Sequence, residues 1–166
     1  AFYVQEREGQ NGALIPICKL RTMYVDAEAR LQKLLTENEA ARAEWQRYFK
    51  LKEDPRILPG VGWFLRKFSL DELPQLWAVV KGRMSLCGPR PFPSYHLDAF
   101  NQEFRALRRR VLPGLSGLWQ ISARSEGDLE VQERLDTYYI RNWSLWLDLY
   151  VLGRTMWAVI TGRGAR

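Results

Sequence analysis

The chain opens on two short apolar runs and then shifts to helical spacing for most of its length. Phe2-Tyr3-Val4-Gln5 and Ala13 to Cys18 predict two strands, joined by Glu8-Gly9-Gln10-Asn11-Gly12, a hairpin turn signal. Asp26 starts a long helical pattern running to about Lys50, with Leu31, Leu34 and Leu35 and then Trp45, Tyr48 and Phe49 at helical spacing. Asp54-Pro55-Arg56 and Pro59-Gly60 mark a loop, Gly62 to Lys67 a short element, and Asp71 to Lys81 a helix. Ser94 to Leu112 reads as a helix ending in Arg108-Arg109-Arg110, a charge run expected to be a solvated, dipole-compensating end or a contact for anionic headgroups. Leu118 to Ser125 is short and strand-like, and Leu129 to Ile140 is an amphipathic helix. Trp143 to Ile160 is the most apolar segment, with Ser144, Asp148 and Thr155 near one face. It is too short and interrupted to span a bilayer, which leaves burial in the core or a place in the membrane interface. The expected fold is α+β and mostly helical, an N-terminal β-hairpin packed with several amphipathic helices, some at a membrane interface, in a single domain over residues 1–166.

Composition narrows the partners. At 166 residues, 46% hydrophobic and 27% charged, the chain can bury a core, and a net charge of +6 favours anionic partners such as nucleotides, phospholipid headgroups or nucleic acid. Nucleic acid is disfavoured because the aromatics follow helical apolar patterns instead of alternating with basic residues on a strand platform. Cys18 and Cys87 lie outside any Cys-x-x-Cys spacing, and His96 is the only histidine, so zinc sites and multi-histidine metal centres are not expected. His96 reads as a surface or packing residue. The sequence begins at Ala1 in what reads as the middle of a strand, so an N-terminal portion is expected outside it.

The candidate chemistry lies in Lys67-Phe68-Ser69-Leu70-Asp71-Glu72-Leu73-Pro74-Gln75. Ser69 and Glu72 have capping-box spacing, which places Asp71 and Glu72 in a first helical turn where N–H groups and the macrodipole favour negative charge. That is the ordinary start of a helix, and it is equally a place for a nucleophilic aspartate beside a bound phosphate, with Glu72 able to ligate a hard cation such as Mg2+. Gly88-Pro89-Arg90-Pro91 forces an extended, rigid backbone that would aim Arg90, as a phosphate clamp or as a plain loop arginine. Leu118-Trp119-Gln120-Ile121-Ser122-Ala123-Arg124-Ser125 offers an aromatic face, an amide and a guanidinium, a set that could hold a base and its phosphates or simply pack.

Taken in order, Gln5-Glu6-Arg7 with Asn11-Gly12, Lys19-Leu20-Arg21-Thr22-Met23, Asp54-Pro55-Arg56-Ile57, Phe64-Leu65-Arg66-Lys67, Ser69 to Gln75, Met84-Ser85-Leu86 with Gly88-Pro89-Arg90-Pro91, Pro113 to Gln120 and Arg141 to Asp148 resemble the successive motifs of the bacterial sugar transferase family, the monotopic phosphoglycosyl transferases. The resemblance covers nearly the whole chain. It implies transfer of a sugar-1-phosphate from a UDP-sugar to polyprenyl (undecaprenyl) phosphate, with release of UMP, at the cytoplasmic face of the bacterial inner membrane, as the first step of O-antigen, capsule or exopolysaccharide synthesis. It further implies that Asp71 takes the phosphosugar covalently, that Glu72 helps bind Mg2+, that Arg66, Arg90 and Lys19 bind phosphate, and that Gln120 and Arg124 bind the nucleotide. The segments 118–122 and 138–143 are more similar to the members that hand over a hexose-1-phosphate. The family's N-terminal re-entrant membrane helix is absent from these residues, and a homodimer is one assembly the resemblance leaves open. The chain departs from the family at Leu20, Arg83, Ala123 and Arg166, none of them in the dyad. The alternative is a non-catalytic basic module for membrane interfaces or nucleic acid, whose binding would need neither Mg2+ nor Asp71.

Overall fold

A computed structural model describes residues 2–122 and 128–162. Strands β1 (Phe2–Glu8) and β2 (Leu14–Leu20) pair antiparallel from Phe2 opposite Leu20 to Glu8 opposite Leu14, so the hairpin runs longer than the apolar runs alone indicate. Asn11, at φ +56°, and Gly12, at φ +76°, supply the left-handed backbone its turn requires. One face of β2 is buried through Ile15 and Ile17, which pack with Met84, Ala78 and Val79.

The expected helix from Asp26 to Lys50 is two helices, α1 (Ala27–Glu37) and α2 (Glu39–Tyr48). Asn38 adopts an extended conformation and its side chain accepts from Ala41 N–H, so it ends one helix and caps the next. The break lets Leu31, Ala41 and Leu51 meet, with Leu34, Leu35 and Trp45 around them, which one straight rod could not do. Asp26 makes no capping bond; it pairs with Arg30 one turn on. Phe49 closes α2 in the left-handed region, at φ +50°.

Helix α3 (Val61–Lys67) matches the expected short element. After it the expected α-helix over 71–81 is a 3-10 segment, Leu70–Gln75, followed by α4 (Leu76–Val80). Pro74 has no N–H to give to an i−4 carbonyl, which accounts for the delay of α-helix until Leu76. Ser94 to Leu112 also divides, into α5 (Ser94–Leu97) and α6 (Gln102–Arg108). Asn101 caps α6 by accepting from Phe104 N–H at 2.8 Å, and Phe100 turns inward with Phe92, Leu97, Phe104 and Trp119. His96 is a packing residue, stacked 4.0 Å from the Phe92 ring, and burial lowers its pKa to about 4.

Strands β3 (Ser85–Cys87) and β4 (Gly114–Ser116) form a short parallel ladder, from Ser85 opposite Gly114 to Cys87 opposite Ser116. The strand-like reading of the next segment is corrected: Leu118–Ser122 is a short helix, α7, burying Leu118, Trp119 and Ile121. An apolar run that short fits either period, and tertiary packing chose. Helices α8 (Leu129–Arg141) and α9 (Leu145–Thr161) complete the described order.

Helix α9 is buried along one face and exposed along the other. Two of its polar residues face inward: Asp148 accepts from Tyr139 Oη at 2.6 Å and from Trp143 Nε1 at 3.1 Å, and Thr155 meets Ser116 Oγ at 2.6 Å. Val151 is fully buried, while Leu145, Trp146 (79% exposed), Leu149, Tyr150, Met156, Trp157 and Ile160 face outward. Val61, Trp63 and Phe64 of α3 and Leu76, Trp77 and Val80 of α4 are exposed as well. The end of α9 lies against the end of α3, since Gly162 sits beside Lys67 and Phe68. Among the described residues no helix is long and apolar enough to cross a membrane.

Candidate active site

Five separated pieces of chain bring charge to one place. Arg7 comes from β1, Lys19 from β2, Arg66 from α3, Asp71 and Glu72 from the 3-10 segment, and Arg90 from the loop after β3. Glu72 is the hub: Oε1 accepts from Lys19 Nζ at 2.7 Å and from Arg90 Nη2, and Oε2 accepts from Arg90 Nη1 at 3.3 Å. The expected capping box is therefore not formed. Ser69 sits at φ +54° with no side-chain cap bond, and Glu72 is turned away from the backbone towards two cations, whose charge-assisted bonds outweigh a reach back to one N–H.

Burial opposes ionisation of Glu72, yet Arg90 and Lys19 hold its carboxyl well below the usual carboxylate range. Asp71 goes the other way: burial first and the neighbouring Glu72 second raise it, against the pull of Lys19, Arg66 and Arg90. No described side chain donates a hydrogen bond to the Asp71 carboxylate, which lies buried among these cations. It is thus the less engaged carboxylate of the pair, and a raised basicity is what a carboxylate nucleophile would use.

Arg90 is held by a strap with little freedom. Gly88 crosses Gly114 so closely that a Cβ on Gly114 would lie 2.1 Å from Gly88 N, so that crossing excludes any other residue. Pro89 and Pro91 then restrict the residue between them.

Two further cations, Arg7 and Lys50, lie at the site without a local sequence signal that marks them as ligands. Arg7 lies near Arg90 and Glu72 and donates to Pro91 O at 3.4 Å. Lys50, solvent-exposed by area but ringed by protein atoms, has Nζ 5.0 Å from the centroid of the Trp119 ring. Desolvation, then the charges of Arg90 and Arg66, lower it to about 8. Its place at the end of an expected long helix hid it; the left-handed turn at Phe49 delivers it to the site. Gln120, an expected nucleotide ligand, donates to Leu115 O at 3.3 Å, with Oε1 buried and unpartnered and no described contact to the dyad. Arg124 and Ala123 lie outside the described residues.

Among the described residues no three His, Cys, Asp or Glu side chains gather in a way that cages a metal. Two adjacent carboxylates, one with an oxygen engaged only by a long arginine contact, do fit a Mg2+ that takes its remaining ligands from water and a phosphate-bearing substrate.

The family model described as bacterial sugar transferase matches residues 1–162. The chain is 43% identical over 167 residues to the undecaprenyl-phosphate galactose phosphotransferase of Salmonella typhimurium, matching 99% of this chain and 34% of that protein. It is 42% identical to the UDP-galactose-lipid carrier transferase of Erwinia amylovora, again over 99% of this chain and 34% of the relative. With the exopolysaccharide production protein ExoY of Sinorhizobium fredii it shares 43% identity over 99% of this chain and 72% of that protein. The chain therefore spans about a third of the length of the first two relatives.

Proposed function

Because the chain belongs to the bacterial sugar transferase family, we propose that it moves a hexose-1-phosphate, galactose-1-phosphate first among the candidates, from a UDP-sugar to undecaprenyl phosphate. The observation that carries the reading is Asp71, a buried carboxylate with no described hydrogen-bond donor, set among Lys19, Arg66 and Arg90. An Asp71 oxygen attacks the phosphorus that bears the sugar. A bond forms from carboxylate to phosphorus, the bond from that phosphorus to the bridging oxygen breaks, and UMP leaves with the electron pair. An oxygen of undecaprenyl phosphate then attacks the same phosphorus, making the diphosphate link and freeing Asp71. Two steps suit two substrates of such different polarity, because the soluble product departs before the lipid phosphate enters.

Arg66, Arg90, Lys19 and Lys50 hold the phosphoryl oxygens and offset the charge that builds on them. Glu72 fixes the fork of Arg90 and would help hold Mg2+, which would supply Lewis-acid stabilisation of the phosphoryl and leaving oxygens. Gln120 and Arg124 are assigned to the nucleotide. The exposed faces of α3, α4 and α9 settle in the membrane interface at the cytoplasmic face. Tryptophans there lie beside lysines, with Lys67 4.7 Å from the Trp63 ring and Lys81 5.0 Å from the Trp77 ring, a pairing suited to headgroup depth.

Release of UMP from a panel of UDP-sugars, with Mg2+, undecaprenyl phosphate and lipid nanodiscs, tests the proposal. Release with one sugar, lowered at least about 10³-fold by Asp71→Asn, is the expected result. Absence of release with every UDP-sugar from folded protein would overturn it.

A further inference from the structure

The strap that carries Arg90 has an unusual supply of hydrogen-bonding groups. Pro89 and Pro91 have no N–H, so the chain from Gly88 to Phe92 must be held largely through its carbonyls. Five consecutive residues are held. Gly88 N–H donates to Ser116 O at 2.9 Å, and Pro89 O accepts from Gly114 N–H at 2.9 Å. Arg90 O accepts from Arg108 Nη2, Pro91 O accepts from Arg7 Nη1 at 3.4 Å, and Phe92 O accepts from Glu8 N–H at 3.4 Å. At the central residue the donor is a side chain from α6.

Arg108 is not the solvated helix end its sequence indicates; it is 8% exposed. Its fork is divided: Nη2 serves Arg90 O, and Nη1 donates to Asp136 Oδ2 on α8. The guanidinium lies 4.6 Å from the Phe92 ring centroid and 5.5 Å from that of Phe104, so its plane is set by aromatic contacts as well. Asp136 is 1% exposed, and its Oδ1 has no partner. A one-to-one ion pair at that depth is costly, and an apolar pair of similar volume would join α6 to α8 with less desolvation. Such a pair would leave Arg90 O without its donor. Lysine would not substitute, because its single ammonium lacks the planar fork that reaches a carboxylate and a carbonyl together while lying over a ring.

We propose that the Arg108–Asp136 pair is a positioning device for Arg90, gripping its carbonyl from the protein interior so that its guanidinium stays aimed at Glu72. The inference rests on the reading that Arg90 and Glu72 belong to the phosphate site.

Two readouts test it on the chain in nanodiscs. Hydrogen exchange of the backbone amides bonded in the strap, Gly88 N–H together with Gly114 N–H and Glu8 N–H, which donate to its carbonyls, needs no turnover. Arg108→Lys is expected to speed it about tenfold or more, the loss of one charge-assisted bond, in protein that still melts cooperatively. In UMP release, Arg108→Lys is expected to lower kcat about tenfold with a smaller change in KM. Added to Arg90→Lys, it is expected to lower kcat little further, because the two act through one group. Where Arg108→Lys does not fold, Asp136→Asn, which keeps the shape of the side chain, supplies the same readouts. Unchanged exchange in the strap, or losses that multiply fully in the double variant, would overturn the proposal. Absence of turnover with every UDP-sugar in the unsubstituted protein would sink the functional reading instead, and exchange would still decide the positioning role.

Discussion

Two charged clusters meet at Arg90, and they differ in how their charge closes. Around Glu72 the cations outnumber the carboxylates: Lys19 and Arg90 share one carboxylate, with Arg66 within electrostatic reach and Asp71 accepting no described hydrogen bond. Around Asp136 there is one cation for one anion, both deeply buried. The first cluster has more cations than carboxylates and a carboxylate that accepts no described hydrogen bond, which suits the proposed binding of an anion. The second is closed, so its charge serves the protein itself. Arg90 belongs to both, by side chain to the first and by carbonyl to the second.

Removing one partner of the closed cluster has the largest expected effect. Arg108→Met leaves Asp136 buried without its cation and should destabilise the fold by about 3–5 kcal/mol, read by chemical denaturation at pH 7. Glu72→Gln, in the open cluster, should cost less stability because its surroundings are wetter, but it should change the pH dependence. The folded pKa of Glu72 is depressed below its unfolded value of about 4.3, so its stabilisation is full above that value and is lost as pH falls through the depressed range. Denaturation at pH 7 and pH 3 should therefore show a smaller acid loss in Glu72→Gln than in the unsubstituted protein. An equal acid loss in both would mean that Lys19 and Arg90 do not hold Glu72 ionised in solution. Smallest in stability is the outer surface. Trp146→Ser with Trp157→Ser on α9 should shift stability by no more than about 0.5 kcal/mol each while weakening co-sedimentation with anionic vesicles several-fold. Unchanged vesicle binding would remove this face from the membrane contact.

The parts of this arrangement that local chemistry dictates were legible in the sequence. Asn11-Gly12 marks the hairpin turn, and the prolines either side of Arg90 announce a rigid strap. The adjacent carboxylates of the dyad stand out beside Arg66. What was not legible depended on contacts distant in sequence. Asn38 is a weak breaker by composition, and only the meeting of Leu31, Ala41 and Leu51 makes a helical hairpin there. Lys50 reaches the site because Phe49 adopts a left-handed turn that no local rule favours for phenylalanine. Ser69 and Glu72 have the spacing of a capping box, but Lys19, 53 residues away in sequence, claims the glutamate. Arg108 follows the pattern of an exposed helix end, and Asp136, on another helix, draws it inside.

The central claim is that Asp71 becomes covalently loaded, and the most direct measurement is the intact mass of the chain after mixing with UDP-galactose and Mg2+ in nanodiscs without lipid phosphate. The account predicts release of about one UMP per chain and a mass gain of one hexose phosphate, mapped to the peptide carrying Asp71 and discharged when undecaprenyl phosphate is added. UMP formed only when both substrates are present, with no mass gain at any time, would contradict it.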